Sequence, residues 1–393
     1  MQELFSGVRV LELANVLAGP SVGMFFAELG ADLIKVENVR TRGDVTRSWR
    51  LPTETKEGDI SAYFTSINWG KKSVAVDLKE EAGREIVYQL VKEADMVISS
   101  YLPGKDKKLG VDAESLLKLK GDLVIGEISG YGPGVQKAAF DAIIQAEAGF
   151  IYMNGEREQT YKMPVALMDV MAGHQLKQAM LLAYIHKLKT GKGSVVHSSL
   201  LKSGISALVN QASNFLNIGH MPEPIGSEHP NIVPYGTQYA CKDGSKIILA
   251  IGNDAQFERL CKNCLGVEVP ESYKTNEQRV AKRAGVHKFL SQLISQESPI
   301  TLLDKISQYK IPASSVRNMQ EVFEDDQGKD VLIKGDRFKG VKSMISVGSC
   351  LPTDIELSEP PGLSQHAHEV LADLGYSKEK ITELAEQKII LLP

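Results

Sequence analysis

The chain has 393 residues, enough for two domains or one elaborated large one, with a core that needs no covalent staples. Hydrophobic residues make up 43% and charged residues 24%, close to the soluble globular average, which excludes a disordered or fibrous chain. Lys+Arg 45 against Asp+Glu 49 leaves a net charge of -4. That balance argues against broad nucleic-acid or membrane-surface binding, while local basic clusters could still hold a phosphorylated small molecule.

The opening MQELFSGVRVLEL lacks a basic region followed by an apolar one, and no stretch approaches the roughly 18 consecutive apolar residues of a membrane span. A cytoplasmic location is expected. Residues 8–13 (VRVLEL) are β-prone; Gly19-Pro20, a helix-like SVGMFFAELG and a second β-prone run, ADLIKVE at 31–37, complete a βαβ pattern. The pattern recurs where the amphipathic EEAGREIVYQLVKEA leads into DMVIS at 95–99, and where ESLLKLK leads into DLVIGEIS at 122–129. Alternation of this kind predicts a parallel, doubly wound sheet.

A longer helix is predicted over 170–189, closed by Gly191 and Gly193 as C-cap and tight turn, with a strand at 194–200. Residues 219–236 are dense in Pro, Gly and polar side chains and read as a linker or active-site loop. Residues 237–325, opening on a hairpin at Asp243-Gly244, predict a smaller α+β domain. The tail ends in two helices, HAHEVLADLG and KEKITELAEQ, the second capped by Ser377.

Four cysteines, at 241, 261, 264 and 350, are too scattered for a disulfide framework. Cys261 and Cys264 form a C-x-x-C in a helix-like run without a second ligand pair nearby, which favours packed, reduced thiols over a metal site. His366 and His368, two apart, point to different helix faces. No P-loop, H-E-x-x-H, G-x-S-x-G or G-x-G-x-x-G stands in its required context. Gly19-Pro20 before a helix start could cradle an anion or be a plain turn. Asp169 is a lone acid in an apolar approach to the long helix. It could cap that helix, or act as a desolvated nucleophile, and the spacing alone does not choose.

GVRVLELANVLAGPSVGMFFAELGADLIKVE, DVTRSW and NWGKKSVAVDLK resemble the start of a class III (CaiB/BaiF-type) CoA-transferase. The likeness continues in family order through DMVISSYLPGKDKKLGVD, DLVIGEISGYG, FDAIIQAEAG, the Asp169 segment, KTGKGSVVHSSLL, GSEHPNIVPYGTQYACKDG, IPASSVRNMQEVFED and PPGLSQHAHEVLADLGYS. The resemblance implies transfer of CoA from an acyl-CoA to a free carboxylic acid, with coenzyme A as substrate and no prosthetic group or metal. The family's catalytic aspartate falls on Asp169, which would pass through a mixed anhydride and an aspartyl-CoA thioester. The implied fold is α/β, a Rossmann-like large domain with a parallel sheet plus a smaller α+β domain, in an open-ring chain that interlinks with a second subunit. On that layout residues 1–200 begin the large domain, 201–225 link, 226–325 form the small domain, and 326–393 link back and complete the large one.

Val16 and Leu17 fall in the loop that lines the family's acyl and thioester region, while Arg40, Arg42, Lys71 and Lys72 fall where it keeps cations around the CoA nucleotide. Lys137 matches a position close to another CoA contact. In 99–104 (SSYLPG) a frequent Asn-aromatic-Arg-Pro-Gly is replaced, so an arginine is missing; Tyr101 and Lys105 are the expected contacts there. The segment 130–140 is shorter than in many relatives. An α-methylacyl-CoA racemase shares the fold but pairs its aspartate with a histidine that belongs at Phe140, so one of its two bases is lacking. A non-catalytic CoA-binding protein of the same fold is the other alternative, and an intact Asp169 argues against it. Formyl-CoA:oxalate members carry a run of consecutive glycines, which is missing between 219 and 260, so oxalate is not the favoured acceptor.

Overall fold

Burial of apolar runs on both faces makes the centre of the fold a parallel sheet. A computed structural model describes residues 4–55, 57–343 and 356–393, which leaves Cys350 outside the described residues. Six strands, β1 (Arg9–Leu13), β2 (Asp32–Asn38), β3 (Lys71–Val76), β4 (Met96–Ser99), β5 (Val124–Ser129) and β6 (Ser194–Ser199), pair in the order β3-β2-β1-β4-β5-β6. Every pairing is parallel. This is the doubly wound order, in which the direction of winding reverses between β1 and β4 and leaves a crevice at the carboxyl ends of the strands.

The helices between the strands are α1 (Ala18–Glu28), α2 (Glu81–Glu93), α3 (Ala113–Leu119), α4 (Asp141–Glu147) and α5 (Leu167–Thr190), and α6 (Leu200–Ser206) follows the last strand. Helix α1 begins before Pro20 rather than after it, because a proline in the first turn forfeits no intrahelical hydrogen bond. Gly191 does close α5. Gly193 serves close packing instead of a turn, since a Cβ there would lie 2.3 Å from the Leu123 carbonyl oxygen. The C-terminal helices Ala367–Asp373 and Lys378–Glu386 add Val370, Leu371, Ile381 and Leu384 to the apolar layer formed by Ile86 and Leu90 of α2 and Val74, Val97 and Ile125 of the sheet. Ser377 caps the second of them by accepting the Lys380 N–H at 3.2 Å.

The chain divides into two compact units, one of Met1–Gly149, Met163–Val209 and Asp330–Pro393, the other of Phe150–Lys162 and Asn210–Lys329. The second unit holds an antiparallel sheet in which β8 (Lys246–Ala250) lies between β7 (Tyr235–Ala240) and β9 (Ala313–Ser315). Its core joins Ile247 and Leu249 to Phe257, Val286, Leu290, Leu302 and Ile306, and takes in Cys241, Cys261 and Cys264 as free, buried thiols.

Candidate active site

A cleft of about 1090 Å³ opens in the first unit at the carboxyl ends of the strands. Its walls include the segments that follow them: Asn15–Gly19 after β1, 40–50 after β2, 76–79 at the end of β3, 100–102 after β4 and 128–130 at the end of β5. The topology alone selects this place, because the reversal between β1 and β4 parts the two loops that leave them.

Asp169 lines the cleft from the first turn of α5. The cap position belongs to Ala166, which makes no side-chain cap, so Asp169 is not the helix cap that its sequence context also allowed. One free N–H of that turn is satisfied from α4: the Met168 amide donates to Asp141 Oδ1 at 2.7 Å. Asp141 is itself held by Gln145, whose Nε2 donates to Asp141 Oδ2 at 2.7 Å. Gly173, one turn beyond Asp169, lets α1 approach closely, since a Cβ there would lie 2.6 Å from Ser21 Oγ and 3.2 Å from the Ala18 oxygen. Asp169 is 8% exposed. Burial, and then the negative charge of Asp141, push its carboxyl up to about 7. Trp49 packs on Tyr63 at 5.1 Å and on Phe140, a lining residue, at 6.5 Å. The Tyr63 phenol is raised by burial and then by the charges of Asp169, Asp141 and Asp44.

Of the residues expected at the site, Val16, Leu17, Arg40, Arg42, Tyr101, Lys105 and Asp169 share this cleft. Arg40 is steadied by Asp77 at 2.6 Å and Glu80 at 3.1 Å. Burial pushes the Tyr101 phenol up to about 12, against a small opposing pull from Lys35. Three expected cations are not among the lining residues. Lys71 is fully buried, its Nζ donating to Glu12 Oε2 at 2.8 Å, the Pro20 carbonyl at 2.8 Å and Asn68 Oδ1 at 3.0 Å. Lys72 points to the opposite face of β3, where it pairs with Asp32 at 3.3 Å and Glu369 at 3.0 Å. Lys137 pairs with Glu147 at 2.6 Å and sits over the Tyr131 ring.

Arg50 and Lys79 line the cleft without having been singled out in the sequence. Lys79 lay at the end of the NWGKKSVAVDLK run, and its place just past the carboxyl end of β3 was the available signal. Asp44, which also lines the cleft, and Asp141 stand in DVTRSW and FDAIIQAEAG of the family likeness, but their roles were not legible there, because they depend on partners 28 and 27 residues away.

No helix among the described residues is long and apolar enough to cross a membrane, and no group of three or more His, Cys, Asp or Glu among them could hold a metal ion. The model of CoA-transferase family III matches residues 5–341. A succinate–glutarate CoA-transferase of Agrobacterium fabrum is 37% identical over 387 residues, covering 94% of this chain and 95% of that one. The succinyl-CoA:glutarate CoA-transferase of Homo sapiens is 32% identical, covering 98% of this chain and 89% of its own length. A CaiB/BaiF family protein from Brucella suis superposes with a TM-score of 0.84 at 35% identity, over 95% of this chain and all of that one. A buried carboxylate in a cleft at the strand ends thus sits in a chain that belongs to CoA-transferase family III, and the protein is a CoA-transferase.

Proposed function

We propose that Asp169 carries the acyl group and then CoA during transfer from an acyl-CoA to a free carboxylate. A carboxylate oxygen of Asp169 attacks the thioester carbonyl, the C–S bond breaks, CoA leaves as thiolate, and a mixed anhydride remains. The thiolate attacks the aspartyl carbon of that anhydride, releasing the donor acid and leaving an aspartyl-CoA thioester. An acceptor carboxylate displaces CoA thiolate from it to form a second anhydride. Thiolate attack on the acceptor's acyl carbon then gives the new acyl-CoA and restores the Asp169 carboxylate. Charge balances at each step, and no prosthetic group takes part.

The observation that carries this reading is the Asp169 carboxylate itself, nearly sealed from solvent yet open to the cleft. Desolvation makes a carboxylate a better nucleophile, and exclusion of water protects the anhydrides from hydrolysis. Arg40, Arg42, Arg50, Lys79 and Lys105 supply cations for the phosphates of CoA, while Val16, Leu17 and Tyr101 lie toward the acyl end. Short dicarboxylates such as succinate and glutarate are the substrate class to expect, in keeping with what the relatives are named for. We include in this reading an interlinked homodimer working in the cytoplasm.

The test is trapping. Incubation with succinyl-CoA and hydroxylamine should convert Asp169 to its hydroxamate, read by peptide mass, only when the acyl-CoA is present. Asp169→Asn should lose several orders of magnitude in turnover while CoA affinity stays within about threefold. Residual turnover above about one part in a hundred would remove Asp169 from the covalent role.

A further inference from the structure

The loop between β1 and α1 holds a conformation its sequence does not favour. Val16 has φ of 70°, in the left-handed region that a β-branched residue almost never enters. Such a conformation persists only where its surroundings impose it, and it is common at functional sites. Here the imposing group is identifiable. The Val16 N–H donates to both oxygens of Asp44, at 3.2 and 3.1 Å.

Asp44 is anchored in turn. Its Oδ1 accepts the Thr46 N–H at 3.0 Å and the Thr46 hydroxyl at 2.8 Å, while its own N–H donates to Glu37 Oε2 at 2.9 Å. Lys35 Nζ lies 3.1 Å from Asp44 Oδ2 and also donates to the Ala14 carbonyl at 2.7 Å, so one buried cation ties the carboxylate to the strand end from which the loop departs. Asp44 opens the DVTRSW stretch, which the reaction steps leave without a role. The other end of the loop meets the reacting group's helix, because Ala18 and Ser21 pack against Gly173, on the same face of α5 as Asp169.

We propose that Asp44 is a positioning residue for the transfer reaction, holding Val16 in its left-handed conformation so that the β1–α1 loop forms the wall of the cleft against which the acyl-CoA is presented to Asp169. This rests on the covalent reading of Asp169. Asp44 itself lines the cleft, and in this proposal it acts on the reaction through Val16.

The experiment compares Asp44→Asn in the wild-type and in a Val16→Gly background. Asparagine keeps the volume but removes one of the two oxygens that receive Val16 and Lys35. In the wild-type background the rate constant for hydroxylamine trapping from succinyl-CoA, and kcat, should fall about a hundredfold, the scale of a misplacement near 1 Å, with CoA affinity changed less than about threefold. Glycine takes a positive φ without an anchor. In the Val16→Gly background the same substitution should therefore cost less than about tenfold. Equal losses in the two backgrounds, or a loss confined to CoA affinity, would overturn the proposal. If Asp44→Asn does not fold, Thr46→Val, which removes only the hydroxyl steadying Asp44, makes the same comparison: a loss that Val16→Gly reduces supports the anchor, and one that it does not reduce overturns it. Failure of the wild-type enzyme to give a trapped adduct would instead remove the covalent reading, and the kcat comparison would still decide the role of Asp44.

Discussion

At the scale of single residues, the Asp169 carboxyl, raised to about 7, sets both a pH profile and a stability cost. Attack requires the carboxylate, so kcat/KM for the acyl-CoA should rise with pH through about 7 and then level off. Asp141→Asn removes the smaller of the two causes and should move that limb to lower pH without abolishing it, since burial, the larger cause, remains. The folded chain keeps a proton on Asp169 that the unfolded chain releases near pH 4, so this group lowers stability progressively as pH rises from about 4 to about 7. Thermal melts of Asp169→Asn against wild type should accordingly show an advantage for the variant that grows by about 2–3 kcal/mol between pH 5 and pH 8. An advantage that shrank with rising pH would contradict the raised value. Asp169 became legible through the family likeness, not through its spacing, which favoured a helix cap without settling it. Lys71 and Lys72 show the limit of likeness: adjacent strand residues face opposite sides of a sheet, and neither faces the cleft. Which side a lysine takes follows from strand register, and that is fixed by neighbours far along the chain.

Between elements, buried charge joins apolar packing in clamping the first three strands. Glu12 on β1 receives Lys35 of β2 at 2.9 Å through one oxygen and Lys71 of β3 at 2.8 Å through the other, all three side chains fully buried. Burial opposes ionisation of Lys35, but Glu12, Asp44 and Glu37 outweigh it and hold its ammonium above the usual lysine range. Lys71 lacks that surplus of acids: burial, helped by Lys35, pushes it down to about 8 despite Glu12. Removing the shared acid leaves Lys71 buried without its carboxylate and Lys35 with Asp44 alone, which is far costlier than losing a surface pair. Glu12→Gln should destabilise the protein by about 3–5 kcal/mol in urea unfolding. A loss under about 1 kcal/mol, the range of an exposed pair, would mean that the clamp contributes little. The strands themselves were legible, because β1, β2, β4 and β5 are continuous β-prone runs between turn residues. Their ionic clamp was not. A Glu in VRVLEL and a Lys in ADLIKVE read as ordinary polar positions until the parallel register sets Glu12 against Lys35.

For the whole molecule, the chain leaves the first unit after Gly149, returns at Met163, leaves again after Val209 and returns at Asp330. The second excursion has a signal in the Pro- and Gly-rich 219–236; the first has none, since its strands span only Gly155–Glu156 and Gln159–Thr160 and one of them bridges to the distant Ile225. Both units carry apolar side chains that a lone chain would leave in water. Leu182 and Leu188 on α5 of the first unit are 69% and 68% exposed, and Leu216 and Ile218 in the second are 78% and 75% exposed. The interlinked homodimer proposed above would cover such side chains. Light scattering should then give twice the chain's 43.0 kDa. Size alone does not distinguish linked rings from two chains that merely touch. Exchange does, because linked subunits separate only if one of them unfolds. Affinity-tagged and untagged dimers mixed under native conditions should yield no mixed dimer over days, and should yield it at the statistical half after joint denaturation and refolding. Mixed dimers appearing within hours without denaturant would show an ordinary reversible interface and refute the linkage.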